Sequence, residues 1–186
     1  MIYTFKDMLE MSLGTRKESD IETIKDLIYG CVSVVATDGN GNDEGIDFIA
    51  TLRPGTEVFI DVKTRAEGCS KYWKNGEPEL AIETWSVIKG GRYKTPKDKT
   101  RPGWTYDESK KTDMVLYTFA ETDTDKVYLL PFQSLRLAAI NNYHNWIATH
   151  KVDIQTSDNW QSQAIFVPSK VVVQAILDTF ENVGAE

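Results

Sequence analysis

The order of apolar patterns along the chain predicts an α/β fold. An amphipathic helical segment leads into three β-like runs, three further β-like runs follow, and helical periodicity returns towards the end. At 186 residues the chain is long enough to bury a core of its own, and no internal repeat divides it. One domain over residues 1–186 is therefore expected.

The elements follow from local chemistry. Thr4 to Leu13 reads as a short helix stopping near Gly14. Ser19-Asp20-Ile21-Glu22 has the form of a capping box, in which serine and glutamate each satisfy a backbone donor at the helix start. Ile21, Ile24 and Ile28 then share one face, and Gly30 stands where a helix C-terminal glycine belongs. Strands are expected near Cys31 to Thr37, Gly45 to Leu52 and Glu57 to Thr64. Arg53-Pro54-Gly55-Thr56 supplies turn residues between the last two, which read as a hairpin. The preceding DGNGNDEG is a wide turn whose glycine and glutamate are wrongly spaced for an EF-hand calcium loop. Apolar runs at Glu79 to Val87, Asp113 to Phe119 and Lys126 to Phe132 predict further strands. A helix over Gln133 to Thr149, a strand from Ala164 and a helix from Ser169 through about Phe180 close the chain.

Several function classes are disfavoured at once. No apolar run approaches a membrane span, and MIYTFKDMLEM lacks the blocks of a secretory signal, so an intracellular, cytoplasmic protein without a membrane partner is expected. Cys31 and Cys69 are too few and too isolated for a disulfide framework or a zinc site. Gly39, Gly41 and Gly45 precede a strand and not a helix, which argues against a dinucleotide fingerprint. His144 and His150 have no matched nucleophile, and no catalytic triad is supported.

The formal net charge of −7 opposes indiscriminate binding to nucleic acid, because phosphate affinity comes from Lys and Arg releasing counterions. The distribution is uneven. Between Lys89 and Lys111, eight basic residues stand against Asp98, Asp107 and Glu108. Tyr93, Trp104 and Tyr106 are interleaved with them, which predicts a cationic loop. Lys94, Lys97, Lys99 and Arg101 would meet phosphates there, and Trp104 would stack on a base. An ordinary solvated loop is the plain alternative.

The candidate chemistry lies in the hairpin. Side chains alternate across a strand, so Asp61 and Lys63 share one face while Val58, Ile60 and Val62 share the other. In the register the turn suggests, Asp47 comes beside Asp61. Mg²⁺, or Mn²⁺ in its place, takes oxygen ligands and keeps several waters, so two carboxylates with a backbone carbonyl can seat it. Lys63 beside such a cation can orient or deprotonate a water, or stabilise charge on a phosphate.

This pattern resembles the PD-(D/E)XK nuclease superfamily: an acidic residue, a gap across a hairpin, then acidic-x-Lys. The strings Gly45-Ile46-Asp47-Phe48-Ile49-Ala50 and Ile60-Asp61-Val62-Lys63-Thr64 are similar to those of Holliday junction resolvases and restriction endonuclease-like members, with Ile46 where the motif's proline would stand. The resemblance covers Ser19 to Val87 best. It implies a restriction endonuclease-like αβββ core, with a mixed central sheet flanked by helices. It also implies metal-dependent hydrolysis of phosphodiester bonds in DNA, with Asp47 and Asp61 as metal ligands and Lys63 acting on the water; RNA would offer the same bond. Members often act as dimers on duplexes, so a homodimer is one assembly it suggests.

Two glutamates are further candidates. Glu22 lies on the helix before the strands, where many members place an acidic residue near the metal, but as part of the capping box it equally reads as a cap. Glu83 ends Leu80-Ala81-Ile82-Glu83 on a strand expected beside that of Asp61. It reads either as a ligand or second carboxylate of the site, or as an exposed strand end. The rival to an enzyme is a catalytically inactive nuclease-fold module that binds nucleic acid or a protein partner.

Overall fold

The computed structural model describes residues 18–37, 44–88, 101–120, 126–156 and 161–183. The expected helix at Thr4 to Leu13, and Lys94, Lys97 and Lys99 of the basic segment, lie outside the described residues. In chain order the elements are α1 (Glu18–Leu27), β1 (Cys31–Ala36), β2 (Phe48–Leu52), β3 (Glu57–Arg65), a 3-10 turn (Cys69–Tyr72), β4 (Glu79–Val87) and β5 (Arg101–Pro102). There follow β6 (Met114–Phe119), β7 (Tyr128–Pro131), α2 (Phe132–Thr149), β8 (Lys151–Thr156), β9 (Gln161–Pro168) and α3 (Ser169–Val183). Among the described residues, no helix is long and apolar enough to cross a membrane.

The strands form two sheets. The first runs β1-β2-β3-β6-β7 and is mixed, because β3 and β6 are parallel while the other neighbours are antiparallel. The second, β5-β4-β9-β8, is antiparallel throughout. An α/β architecture with a mixed sheet is thus observed. The expected position of β4 is not. Both edges of β3 are already paired, one with β2 through the hairpin and the other with β6, so β4 has no free ladder on the Asp61 strand. It pairs instead with β9 and β5 in the second sheet.

Alternation on the central strands separates two cores. Phe48, Ala50 and Ile60 point to one face of the first sheet and pack with Ile21, Ile24 and Ile28 of α1. Val115, Tyr117 and Phe119 of β6 point to the other face. There they join Leu80 and Ile82 of β4, Ile165 and Val167 of β9, and the inward sides of α2 and α3. The second face is therefore covered by a sheet and two helices, not by helices alone.

Two local expectations also change. The described helix α1 is already under way at Glu18, and the Thr23 hydroxyl donates to the Ser19 carbonyl at 2.7 Å, so Ser19 lies within the helix and the box over 19–22 does not cap it. Gly30 does end the segment, with φ of 80°. Strand β8 was not anticipated, although Val152 and Ile154 alternate in the manner of a strand. Its mostly exposed residues leave no apolar run to mark it.

Gly103, just after β5, holds the two sheets' junction close. Its N–H donates to the Thr84 carbonyl at 2.9 Å, and a Cβ at this position would stand 2.1 Å from the Glu83 carbonyl oxygen. Backbone cannot yield as a flexible side chain can. Gly103→Ala is expected to destabilise the protein by about 2 kcal/mol or more, in the range of overpacked sites, which a lowered urea midpoint would register. An unchanged midpoint would mean that the close approach is not obligatory.

Candidate active site

The site begins with the register of the hairpin. Phe48 lies opposite Ile60 and Ala50 opposite Val58, which commits those side chains to the α1 face. Asp61 and Lys63 consequently point to the other face, opposite Val115 and Tyr117 of β6. Asp47 precedes β2 and is fixed by its backbone on both sides. Its N–H donates to the Ile60 carbonyl at 2.8 Å, and its own carbonyl accepts from the Thr37 N–H at 2.9 Å. The approach to it is held at Gly45, whose φ is 73° and whose carbonyl accepts from the Thr112 hydroxyl. A Cβ on Gly45 would meet Lys110 and Thr112 side-chain atoms at 2.8 Å.

Three functional groups converge on this scaffold. The Asp47 carboxylate accepts from the Val62 N–H at 2.9 Å, which draws it across onto β3. The Lys63 ammonium lies 2.8 and 2.7 Å from the two carboxylate oxygens of Asp61. Asp47 and Asp61 are only 8% and 5% exposed. Burial pushes the Asp61 carboxyl up to about 6; Lys63 opposes that rise, and the neighbouring Asp47 adds to it.

Trp104 completes one wall. The Lys63 ammonium lies 5.4 Å from the centre of the Trp104 ring, which also stacks against Phe132 with ring centres 6.3 Å apart. The Trp104 N–H donates to Glu83 Oε2 at 3.1 Å, and the Ser86 hydroxyl donates to the same oxygen at 2.8 Å. Trp104 is thus a half-buried packing residue beside Lys63, not the side chain of an open loop. The signal that marked it was the Gly103-Trp104 pair, since a glycine there permits the close backbone approach that seats the ring.

The other candidates are not brought to the pair. Glu22 is exposed on α1, whose apolar side covers the opposite face of the sheet. Glu83 belongs to β4 of the second sheet and spends one carboxylate oxygen on Trp104 and Ser86. Among the described residues, no group of three or more Asp, Glu, His and Cys forms a metal cluster. Arg101 is exposed on β5. Thr37 and Thr112, which pin the backbone around Asp47, went unnoticed in the sequence because single threonines carry no pattern.

Two carboxylates are too few for a closed calcium cage. They do fit Mg²⁺ or Mn²⁺ as those ions bind in phosphate-processing sites, where one or two carboxylates are supplemented by water and phosphate oxygens. No protein-family model, curated protein or solved structure matches the chain.

The raised proton affinity of Asp61 has a sign that can be tested. Between about pH 4 and 6 the folded protein holds a proton that the unfolded chain has already released, so this group's contribution to stability falls as pH rises through that window. In chelator, the stability of Asp61→Asn relative to the wild type is expected to increase from pH 4 to pH 7, by about 1–3 kcal/mol. Urea melts at both pH values give the difference. A difference independent of pH would show that Asp61 titrates normally.

Proposed function

We propose that the chain is a Mg²⁺- or Mn²⁺-dependent nuclease that hydrolyses phosphodiester bonds in DNA. The observation that carries this reading is the convergence of Asp47, Asp61 and Lys63 on one buried face of the mixed sheet. Its acidic, acidic-x-Lys order is the one on which the resemblance to PD-(D/E)XK nucleases rests.

In this reading Asp47 and Asp61 would hold the cation. When bound, it would supply positive charge at the phosphate and a more acidic water. The chain's own residues do the rest. The Val62 N–H fixes the orientation of the Asp47 carboxylate. Lys63, partly exposed and lodged between Asp61 and the Trp104 ring, has its ammonium where it can orient the attacking water or stabilise charge on the phosphate. The ring restrains that ammonium, and Glu83 with Ser86 restrains the ring's backbone. Arg101 on β5, with Lys94, Lys97 and Lys99 of the adjoining segment, would meet substrate phosphates.

One observation favours a second reading. The Asp61–Lys63 ion pair satisfies both groups without any metal, as a structural salt bridge would. A noncatalytic module that binds nucleic acid or a protein partner could retain it for that reason.

A cleavage screen decides between them, with plasmid, linear, branched and single-stranded DNA, and RNA, each with Mg²⁺, Mn²⁺, Ca²⁺ or chelator. Cleavage with Mg²⁺ or Mn²⁺ that chelator abolishes is expected on at least one DNA. Asp61→Asn should lose turnover by roughly 10³-fold or more, as should Lys63→Ala, while only the latter keeps Mn²⁺ binding by calorimetry. Absence of cleavage on every substrate, or full activity in either variant, would leave the binding module as the better reading.

A further inference from the structure

A second feature lies beyond Lys63 on the same strand. Asp61, Lys63 and Arg65 are spaced by two residues on β3 and so share a face. Arg65 opens onto a cleft of about 250 Å³ between the end of the first sheet and the β8–β9 edge of the second. In it, cations and rings alternate. Lys71 lies 4.9 Å from the centre of the Tyr72 ring, and Lys151 lies 4.9 Å from that ring and 5.2 Å from Phe166. The Arg65 guanidinium lies 4.5 Å from Phe166. The strand register sets this ladder, since Lys151 on β8 is directly opposite Phe166 on β9.

The three cations are positioned but not satisfied. Among the described residues, none of them forms an ion pair, although Glu67, Glu79 and Asp153 line the same cleft. Arg65 Nε is buried with no hydrogen-bond partner in the structure. An aromatic face attracts a cation without using its N–H donors, so the donors stay available for an anion with several acceptor oxygens. A buried donor left without a partner is costly, and a ligand oxygen would relieve that cost.

We propose that this cleft is a phosphate subsite, which holds a backbone phosphate of the same nucleic-acid strand whose phosphodiester lies at Asp47 and Asp61. The assignment of the strand rests on the nuclease reading of that site. Asp61 and Arg65 are four residues apart on one strand, roughly 13 Å, a span of a few nucleotide steps. The three carboxylates that line the cleft balance the three cations, so capture depends on directed donors and not on a broad positive field. Free phosphate should therefore bind weakly. A phosphate tethered to a strand already engaged at the acidic pair gains from its high effective concentration.

The test is the salt dependence of binding by a fluorescein-labelled twelve-nucleotide oligothymidylate, in chelator and on an Asp61→Asn background so that neither metal nor cleavage contributes. Replacing Arg65 and Lys151 together by Gln is expected to weaken binding about tenfold at low salt. It should also flatten the slope of log affinity against log salt by roughly 1.4, at about 0.7 per single-strand phosphate contact. The charge-conserving pair Arg65→Lys with Lys151→Arg should keep the slope. Should the loss of Arg65 impair folding, Lys151→Gln alone, on an exposed position of β8, should still flatten it by roughly 0.7. An unchanged slope in these variants would overturn the proposal. Inorganic phosphate titrated against the wild type separates the sources: if it binds in the cleft with micromolar affinity while the oligonucleotide slope is unaffected, the ligand is a free phosphate and the strand assignment is wrong. Cleavage that survives in the wild type alongside an unchanged slope would reject the cleft and leave the nuclease reading standing. A flattened slope without any cleavage would do the reverse.

Discussion

A carboxylate buried in the middle of a sheet must be compensated, and much of the site's architecture follows from Asp61. Removing an ionised carboxylate from water costs several kcal/mol even after relaxation, and loss of one partner of a buried pair typically costs about 3–5 kcal/mol. Lys63 supplies the counter-charge from the same strand face. A lysine beside a buried carboxylate must itself be kept in place, which the Trp104 ring does. That ring reaches Lys63 because Glu83 binds its backbone and because Gly103 lets the loop lie against β4. The charge on the first sheet is thus steadied by packing that originates in the second. This is a physical reason for the two sheets to meet where they do.

The parts of this arrangement that were legible in the sequence are those written in short-range periodicity. Val58, Ile60 and Val62 alternate with Asp61 and Lys63, and period-two alternation alone assigns the two sets to opposite faces. The turn residues Pro54 and Gly55 set the hairpin, from which the proximity of Asp47 and Asp61 followed. The α1 stripe was equally local. What escaped depends on partners distant in the chain. Whether β4 pairs with β3 or with β9 is decided by competition among strands for ladder edges, and no pattern within Glu79–Val87 records the winner. Trp104 was assigned to a cationic loop because its neighbours in sequence are basic and rich in Gly and Pro, whereas its neighbours in space are Lys63 and Phe132. The capping-box form at Ser19 shows the opposite error: a correct local motif on a helix that is already under way at that point.

The decisive asymmetry is the number of carboxylates. A salt bridge that merely joined two parts of the fold would need one acid and one base. Here two carboxyl groups meet one ammonium in a place from which water is largely excluded. The Val62 N–H offsets part of the charge on Asp47, but a neutral donor is a weaker compensator than a cation. The residual deficit appears as the raised proton affinity of Asp61, to which Asp47 contributes. A proton can fill it in acid, and above about pH 6 that proton is lost. A structure selected for stability alone would gain by replacing one of the two acids with an apolar residue, as buried ion pairs often can be replaced without loss. Retaining both, with backbone bonds from Ile60 and Thr37 fixing the first and β3 fixing the second, is intelligible if the missing positive charge arrives from outside the chain.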